Sequence, residues 1–375
     1  MLGPILPVLS RTWSLTDADA GTLLALEFVG GFCGAMASGW LGARQALMTL
    51  LTVGLTLLAL GLGGAALMAR LWMPVCLFGC GLGLGFINPI ANLIVARASL
   101  PSPAAALNLF NCSWAAGALA TPSAIAFVLR LKPAANVFLE LAILAASVAG
   151  LAAIGNRAAV NIEVEPGAAP PGKRTLAGKG GFITITGVLL FLYVGVETSI
   201  SAWLPTGAAR WAMVTPSEAA VTQSAFWGAL LLGRLLAPVW LRRLSPRSLI
   251  FAGLLFGGAG IGMLLAAASY RSLMTGAIMA GLGLAPVDPT IVAAFATSLG
   301  SAAARWAGPV FASAGLGGAA IPWVVGAISS HFASLRIGFA APLLCIGGML
   351  GLERVVGASG TGAADLQDLS SHLMM

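Results

Sequence analysis

Acidic side chains are scarce in the apolar stretches of this sequence, and Glu197 lies well inside one of them. A helix would place Tyr193, one turn before it, and Ser201, one turn after it, on the same face. A charged side chain at the centre of a bilayer costs about 2.5–3.5 kcal/mol, so such a residue needs a partner or a water-filled path. A neutral Glu197 hydrogen-bonded inside a helix bundle would satisfy the pattern. We favour the alternative that Glu197 faces a water-filled path.

Amides and aromatic rings recur in the same apolar stretches. Asn88 and Asn92 are spaced one helical turn apart, and Gln223, Trp227 and Arg234 form a stripe along another helix. One amide can simply join two helices, for about 0.6–2 kcal/mol. Amides combined with aromatic faces favour a surface that binds a neutral, hydroxyl-rich solute in place of its water. The predicted solute-binding residues are Asn88, Asn92, Asn108, Asn111, Trp114, Tyr193, Glu197, Gln223, Trp227 and Asp288.

Three arginines near the ends of apolar stretches are candidate gating residues: Arg44, Arg234 and Arg242. Arg234 could extend its guanidinium to the membrane surface, or it could pair with a carboxylate in one state of a transporter. Asp288 either lines the solute path or lies hydrated near a helix end. Both alternatives remain open from the sequence.

The sequence offers no enzyme chemistry. Cys76 and Cys80 are one helical turn apart, but no histidine accompanies them, so we expect side chains that face lipid or the protein core. Phosphate-binding loops, His-Glu-x-x-His zinc motifs and serine–histidine pairs are not found in the sequence. We therefore expect neither an enzyme, nor a cofactor, nor a metal site.

The elements that position these residues are membrane spans. Hydrophobic residues make up 59% of the chain and charged residues 8%, against about 25% charged in a soluble domain. The apolar runs are about 20 residues long, the length of a transmembrane helix. The net charge of +7 comes from basic residues between the runs, which read as topology signals rather than as a nucleic-acid surface.

The chain repeats itself in one direction. Residues 81–89 read Gly-Leu-Gly-Leu-Gly-Phe-Ile-Asn-Pro, and residues 281–289 read Gly-Leu-Gly-Leu-Ala-Pro-Val-Asp-Pro. A second correspondence pairs Pro7 with Pro205 and Arg44 with Arg242. Two parallel copies of one apolar unit are typical of membrane transporters.

The predicted organisation is an all-α polytopic membrane protein of two six-helix repeats. The expected parts are an N-terminal half (1–157), a cytoplasmic linker (158–182), a C-terminal half (183–353) and a polar disordered tail (354–375). The apolar stretch before Ser10 is too short to span a bilayer. It is expected to be the last part of a first helix that is truncated at its N-terminus.

Lys and Arg set the expected orientation. Placing the linker and the C-terminus in the cytoplasm puts the densest basic clusters, residues 173–179 and 242–247, on the inner side. We expect a multi-pass protein of the cytoplasmic (inner) membrane, in contact with the lipid bilayer and monomeric.

The repeat, the central linker and the glycine-rich spans resemble the major facilitator superfamily. The segment after the second run, Gly39-Trp-Leu-Gly-Ala-Arg44-Gln-Ala, is similar to the superfamily's Gly-x-x-x-Asp-Arg-x-Gly loop, with Ala43 in place of the Asp. This resemblance implies that the first, fourth, seventh and tenth spans line the solute cavity.

Two segments further resemble the fucose/glucose/galactose permease group of sugar symporters: residues 83–92 and 193–205. Asn92 matches an asparagine of that group, whereas Asn88 stands where related permeases carry a proton-titrating glutamate. If coupling is retained, the resemblance leaves Glu197 as the proton carrier.

The expected function is secondary active transport of a small neutral solute, with a sugar as first candidate, by alternating access and with proton symport as a hypothesis. One alternative is efflux of amphipathic compounds, because residues 117–122 partly match an antiporter motif. Another is a truncated relative that no longer transports.

Overall fold

The computed structural model describes residues 2–42, 45–67, 69–98, 103–158, 180–299 and 303–358. The described residues form fourteen helices: α1 (Leu2–Trp13), α2 (Asp17–Gly42), α3 (Leu47–Ala66), α4 (Met73–Ala98), α5 (Pro103–Leu131), α6 (Ala134–Ala158), α7 (Gly180–Trp211), α8 (Pro216–Leu241), α9 (Pro246–Ala266), α10 (Tyr270–Leu284), α11 (Val287–Leu299), α12 (Ala303–His331), α13 (Leu335–Gly338) and α14 (Ala340–Ala358).

The predicted all-α membrane architecture is confirmed. Ten segments among the described residues are long and apolar enough to cross a bilayer. Arg44, most of the predicted linker and most of the predicted tail lie outside the described residues.

The repeated glycines let helices approach each other closely at corresponding positions in the two halves. A Cβ on Gly81 would overlap the Glu27 carbonyl of α2, and a Cβ on Gly281 would overlap the Phe226 carbonyl of α8. Two residues further on, Gly83 faces α3 and Gly283 faces α9 in the same manner. Small residues at these crossings bring backbones into contact without lipid between them.

We call α1–α6 the first half and α7–α14 the second half. Within the first half, α4 packs on α2 and α3, and α3 packs on α6. Within the second half, α7 packs on α12 and α10 packs on α8 and α9. The two halves meet where α2 contacts α12, α5 contacts α8, and α1 contacts α7 and α8.

The apolar segment Tyr270–Phe295, the tenth of the twelve predicted spans, is broken, although its first-half counterpart is not. The segment divides at Ala285 and Pro286 into α10 and α11, whereas α4 continues through Pro89. Pro286 has Phe86 as its counterpart, so the second half carries an additional proline at this point. Proline lacks the N–H that would continue the helical hydrogen-bond ladder. The break places Asp288 in the first turn of α11.

Candidate functional site

The predicted polar face of α7 is buried. Tyr193, Glu197 and Ser201 follow one another at single-turn spacing, and each is less than a tenth exposed. A polar row of this kind inside an apolar bundle needs partners from neighbouring helices, because an unsatisfied buried polar group is costly. The partners come from α8, α10 and α11.

Glu197, Arg234 and Asp288 form a charge cluster built from three helices. Arg234 Nη2 of α8 lies 3.8 Å from Glu197 Oε1 of α7 and 4.0 Å from Asp288 Oδ2 of α11. Glu197 is 8% exposed. Both separations are ion-pair distances and both exceed the length of a direct hydrogen bond. One guanidinium therefore stands between two carboxylates without being committed to either.

The net charge of the cluster depends on how many protons its carboxylates hold. With both carboxylates ionised it carries one surplus negative charge, and one added proton makes it neutral. Two unit charges 4 Å apart interact by about 4 kcal/mol at an effective dielectric constant of 20. A cluster in which Glu197 is buried and Arg234 and Asp288 are partly buried therefore favours charge balance, and a proton can supply it. The cluster is chemically suited to gaining and losing one proton.

Arg234 has a hydrogen-bond donor that is not used by the described residues. Its Nε is buried and has no hydrogen-bond partner among the described residues. A guanidinium has five N–H donors in a planar fork that fits a carboxylate or a pair of hydroxyl oxygens. A ligand atom would reach the Nε donor only after the buried site opens.

The hydroxyl of Tyr193 connects this site to the break in the tenth segment. Tyr193 is fully buried, and its Oη donates a hydrogen bond to the Leu284 carbonyl at 3.1 Å. Leu284 is the last residue of α10. The free carbonyl at the end of a helix needs such a donor, so α7 supports the point at which α10 ends.

Gln223 and Trp227 meet the same face of α7 one turn away. Ser201 Oγ accepts a hydrogen bond from Gln223 Nε2 at 2.7 Å and another from Trp227 Nε1 at 2.9 Å. Gln223 Oε1 is buried without a partner among the described residues, beside the close approach of Gly3 in α1. This polar seam holds α7 and α8 together next to the charge cluster.

The structure thus brings together Tyr193, Glu197, Gln223, Trp227, Arg234 and Asp288. Asn88 and Asn92 pair with each other on α4, where Asn92 Nδ2 donates to Asn88 Oδ1 at 3.0 Å. Trp114 on α5 is 58% exposed, and Arg242 is exposed just after α8. Asn108 and Asn111 lie on α5, but their side chains fall outside the described part of the chain, as does all of Arg44.

Sequence reasoning missed Asp17, Arg210 and Ser329. The Asp17 carboxylate is buried and binds the Arg210 guanidinium through two hydrogen bonds, of 2.7 and 2.5 Å. Ser329 Oγ donates to the same carboxylate. All three lie near helix ends, where charged residues are normally hydrated, so the sequence carried no signal to separate them from topology-setting residues.

The described residues contain no group of three or more His, Cys, Asp or Glu side chains that could hold a metal ion.

This architecture is the major facilitator fold. A bacterial homologue of the human lysosomal transporter Spinster superposes with a TM-score of 0.82 at 15% identity, over 97% of this chain and 94% of that one. The E. coli fucose:proton symporter superposes with a TM-score of 0.60 at 18% identity, over 94% of this chain and 93% of that one. The chain is a multi-pass membrane protein with the major facilitator fold, and sugar symporters are one of several transporter groups that share it.

No protein-family model matches the sequence. The niacin transporter NiaP of Acinetobacter baylyi is 32% identical over 94 residues. That match spans 25% of this chain and 21% of the relative.

Proposed function

We propose that this protein is a secondary active transporter that moves a small organic solute by alternating access and couples the movement to a proton. The observation that carries the proposal is Arg234, held between Glu197 and Asp288 inside three packed helices. The fold supports it, because the structural neighbours named above are transporters.

In this proposal Glu197 takes up a proton when the site opens to the outside. Protonation removes the surplus charge, which lowers the cost of enclosing the site during the change of state. The proton then leaves on the inner side together with the solute. With Glu197 protonated, Arg234 pairs with Asp288, so the enclosed cluster contains no unpaired charge.

The first candidate solute is neutral and rich in hydroxyl groups, such as a sugar. Asn88, Asn92 and Trp114 offer amide and aromatic groups of the kind that replace the water around a sugar. The resemblance to sugar symporters and the fold shared with the fucose:proton symporter support this candidate.

The second candidate is a small monocarboxylate. Arg234 Nε is unpartnered among the described residues, and a guanidinium fork binds a carboxylate through two parallel hydrogen bonds. Niacin, whose transporter shares a short stretch of similarity with this chain, has this chemistry. A carboxylate would compete with Glu197 and Asp288 for Arg234, so its binding requires protonation of the cluster.

The proposed location is the cytoplasmic membrane, with the linker and C-terminus inside and with solute imported. The distribution of Lys and Arg supports this orientation.

The test is uptake by purified protein in proteoliposomes under an imposed pH gradient, with radiolabelled fucose, xylose and nicotinate as probes. Wild-type protein is expected to accumulate one of these solute classes above equilibrium. Glu197→Gln is expected to abolish accumulation while preserving solute exchange at equal pH. Glu140→Gln is the matched control, because Glu140 pairs with Lys132 on an exposed surface.

Equal pH-driven accumulation by wild type and Glu197→Gln would overturn the coupling role of Glu197. Drug resistance conferred on a pump-deficient host, without uptake of any probe, would favour efflux. Well-folded protein that moves neither class would favour a relative that no longer transports.

A further inference from the structure

The two halves are joined at one end by a buried ion pair. Asp17 opens α2 in the first half, and Arg210 lies in the last turn of α7 in the second half. Asp17 is 8% exposed, and both of its carboxylate oxygens accept hydrogen bonds from Arg210. Among the described residues, the other ion pairs each lie within one half.

The C-terminal part of α12 completes this contact. Ser329 Oγ donates to Asp17, and the Ala18 N–H donates to Ser330 Oγ at 2.7 Å. Gly326 permits the approach, because a Cβ there would overlap the Asp17 carbonyl. Four hydrogen bonds and a direct backbone contact therefore fasten α2 to α7 and α12.

The pair of helices α5 and α8 closes the same end. Ser224, in the N-terminal part of α8, donates to the Leu119 carbonyl of α5 at 2.9 Å and lies 2.8 Å from Ser123 Oγ. These contacts join the two halves at the same end as the Asp17–Arg210 ion pair.

We propose that Asp17, Arg210 and Ser329 form a latch that closes one end of the solute path, and that every transport cycle breaks and re-forms it. The inference rests on alternating access but not on the identity of the solute or on proton coupling. With the orientation expected from Lys and Arg, the latched end is the outer one.

Breaking a latch has a different effect from breaking a structural ion pair. Removing one charge of a pair inside a permanent interface reduces stability. Removing one charge of a latch also shifts the population toward the state in which this end is open. Thr206 reports that shift, because it is 1% exposed and lines the small cavity that lies next to Arg210, with Pro7 and Ser10.

The experiment measures the reaction of Thr206→Cys with a membrane-impermeant maleimide in proteoliposomes, in a background whose native cysteines are replaced by serine or alanine. The parent with the intact latch is expected to react slowly. Asp17→Asn is expected to raise the labelling rate by about fivefold or more, the range of a coupling between two states. Ser329→Ala, a milder change, is expected to raise it by less.

The charge exchange Asp17→Arg with Arg210→Asp is expected to return the labelling rate toward that of the parent. Glu140→Gln, which removes an exposed ion pair within the first half, serves as control and should leave the rate unchanged. Equal labelling of the parent and both latch variants, in protein that is monodisperse by size exclusion, would overturn the latch. So would an increase that Glu140→Gln reproduces.

Discussion

The Tyr193 hydroxyl donates its hydrogen bond to the Leu284 carbonyl, 3.1 Å away, at the residue where α10 ends. Tyr193 also lies one turn from Glu197, so the residue that supports the break in the tenth segment adjoins the charge cluster. The charge cluster therefore lies one helical turn of α7 away from the side chain that supports the end of α10.

Tyr193→Phe should slow transport and lower stability. The change keeps the ring and removes the donor, which leaves the buried Leu284 carbonyl unpaired at a cost of about 1–3 kcal/mol. We expect a drop of several degrees in the apparent Tm in detergent and a lower maximal uptake rate with a nearly unchanged KM.

Tyr270→Phe is the matched control for that prediction. Tyr270 Oη also donates to a backbone carbonyl, that of Glu218 at 3.2 Å, but this hydrogen bond is exposed. Water can replace it, so Tm and uptake should change little. Equal effects of the two variants would show that Tyr193 has no particular connection to the break.

Gly81→Ala should destabilise the first half. The added methyl group would meet the Glu27 carbonyl backbone, which cannot rotate away, and overpacking of this kind costs about 1–3 kcal/mol. Gly63→Ala is the control, since nothing lies within 4 Å of its added Cβ. An alanine inside a helix is favoured over glycine by about 0.5–1 kcal/mol. Thermal unfolding in detergent should move in opposite directions for the two variants.

The sequence was sufficient to predict the helices and the polar face of α7. Apolar runs predict spans because a bilayer demands about 20 such residues, and single-turn spacing predicts that Tyr193, Glu197 and Ser201 share a face. It also left open whether Arg234 pairs with a carboxylate, an alternative that the structure supports through Glu197 and Asp288.

Other features depend on how the helices pack against one another, which the hydrophobic periodicity of the sequence does not encode. Asp17 and Arg210 are 193 residues apart and sit at helix ends, where a charge is ordinary. The sequence also does not predict the break at Pro286, because a proline alone need not end a helix: α4 continues through Pro89. The second repeat differs in having two prolines, Pro286 and Pro289, where the first has only Pro89.

Asn92→Ala should weaken solute binding without affecting stability. Asn88 and Asn92 hydrogen-bond to each other on a partly exposed part of α4, so water can replace the lost amide. If the pair binds solute, KM should rise by about tenfold, which corresponds to about 1.4 kcal/mol, with an unchanged apparent Tm. Asn136→Ala, at the start of α6, is the control. An unchanged KM would assign the asparagine pair to helix packing rather than to solute binding.

Arg234→Gln should destabilise the protein, and a second substitution should restore part of the loss. Removing the guanidinium leaves the buried Glu197 carboxylate and the Asp288 carboxylate, whose side chain is 29% exposed, with no cation between them, and their repulsion lowers stability. Arg234→Gln combined with Glu197→Gln removes the surplus charge as well. We expect the double variant to be more stable than Arg234→Gln alone, with an interaction energy of about 0.5–3 kcal/mol in the double-mutant cycle.

The same cycle on Lys132 and Glu140, an exposed pair, should give at most about 1 kcal/mol. Additive losses at Arg234 and Glu197 would mean that the two side chains do not share a charge balance, and the proton-carrying role of the cluster would then be untenable.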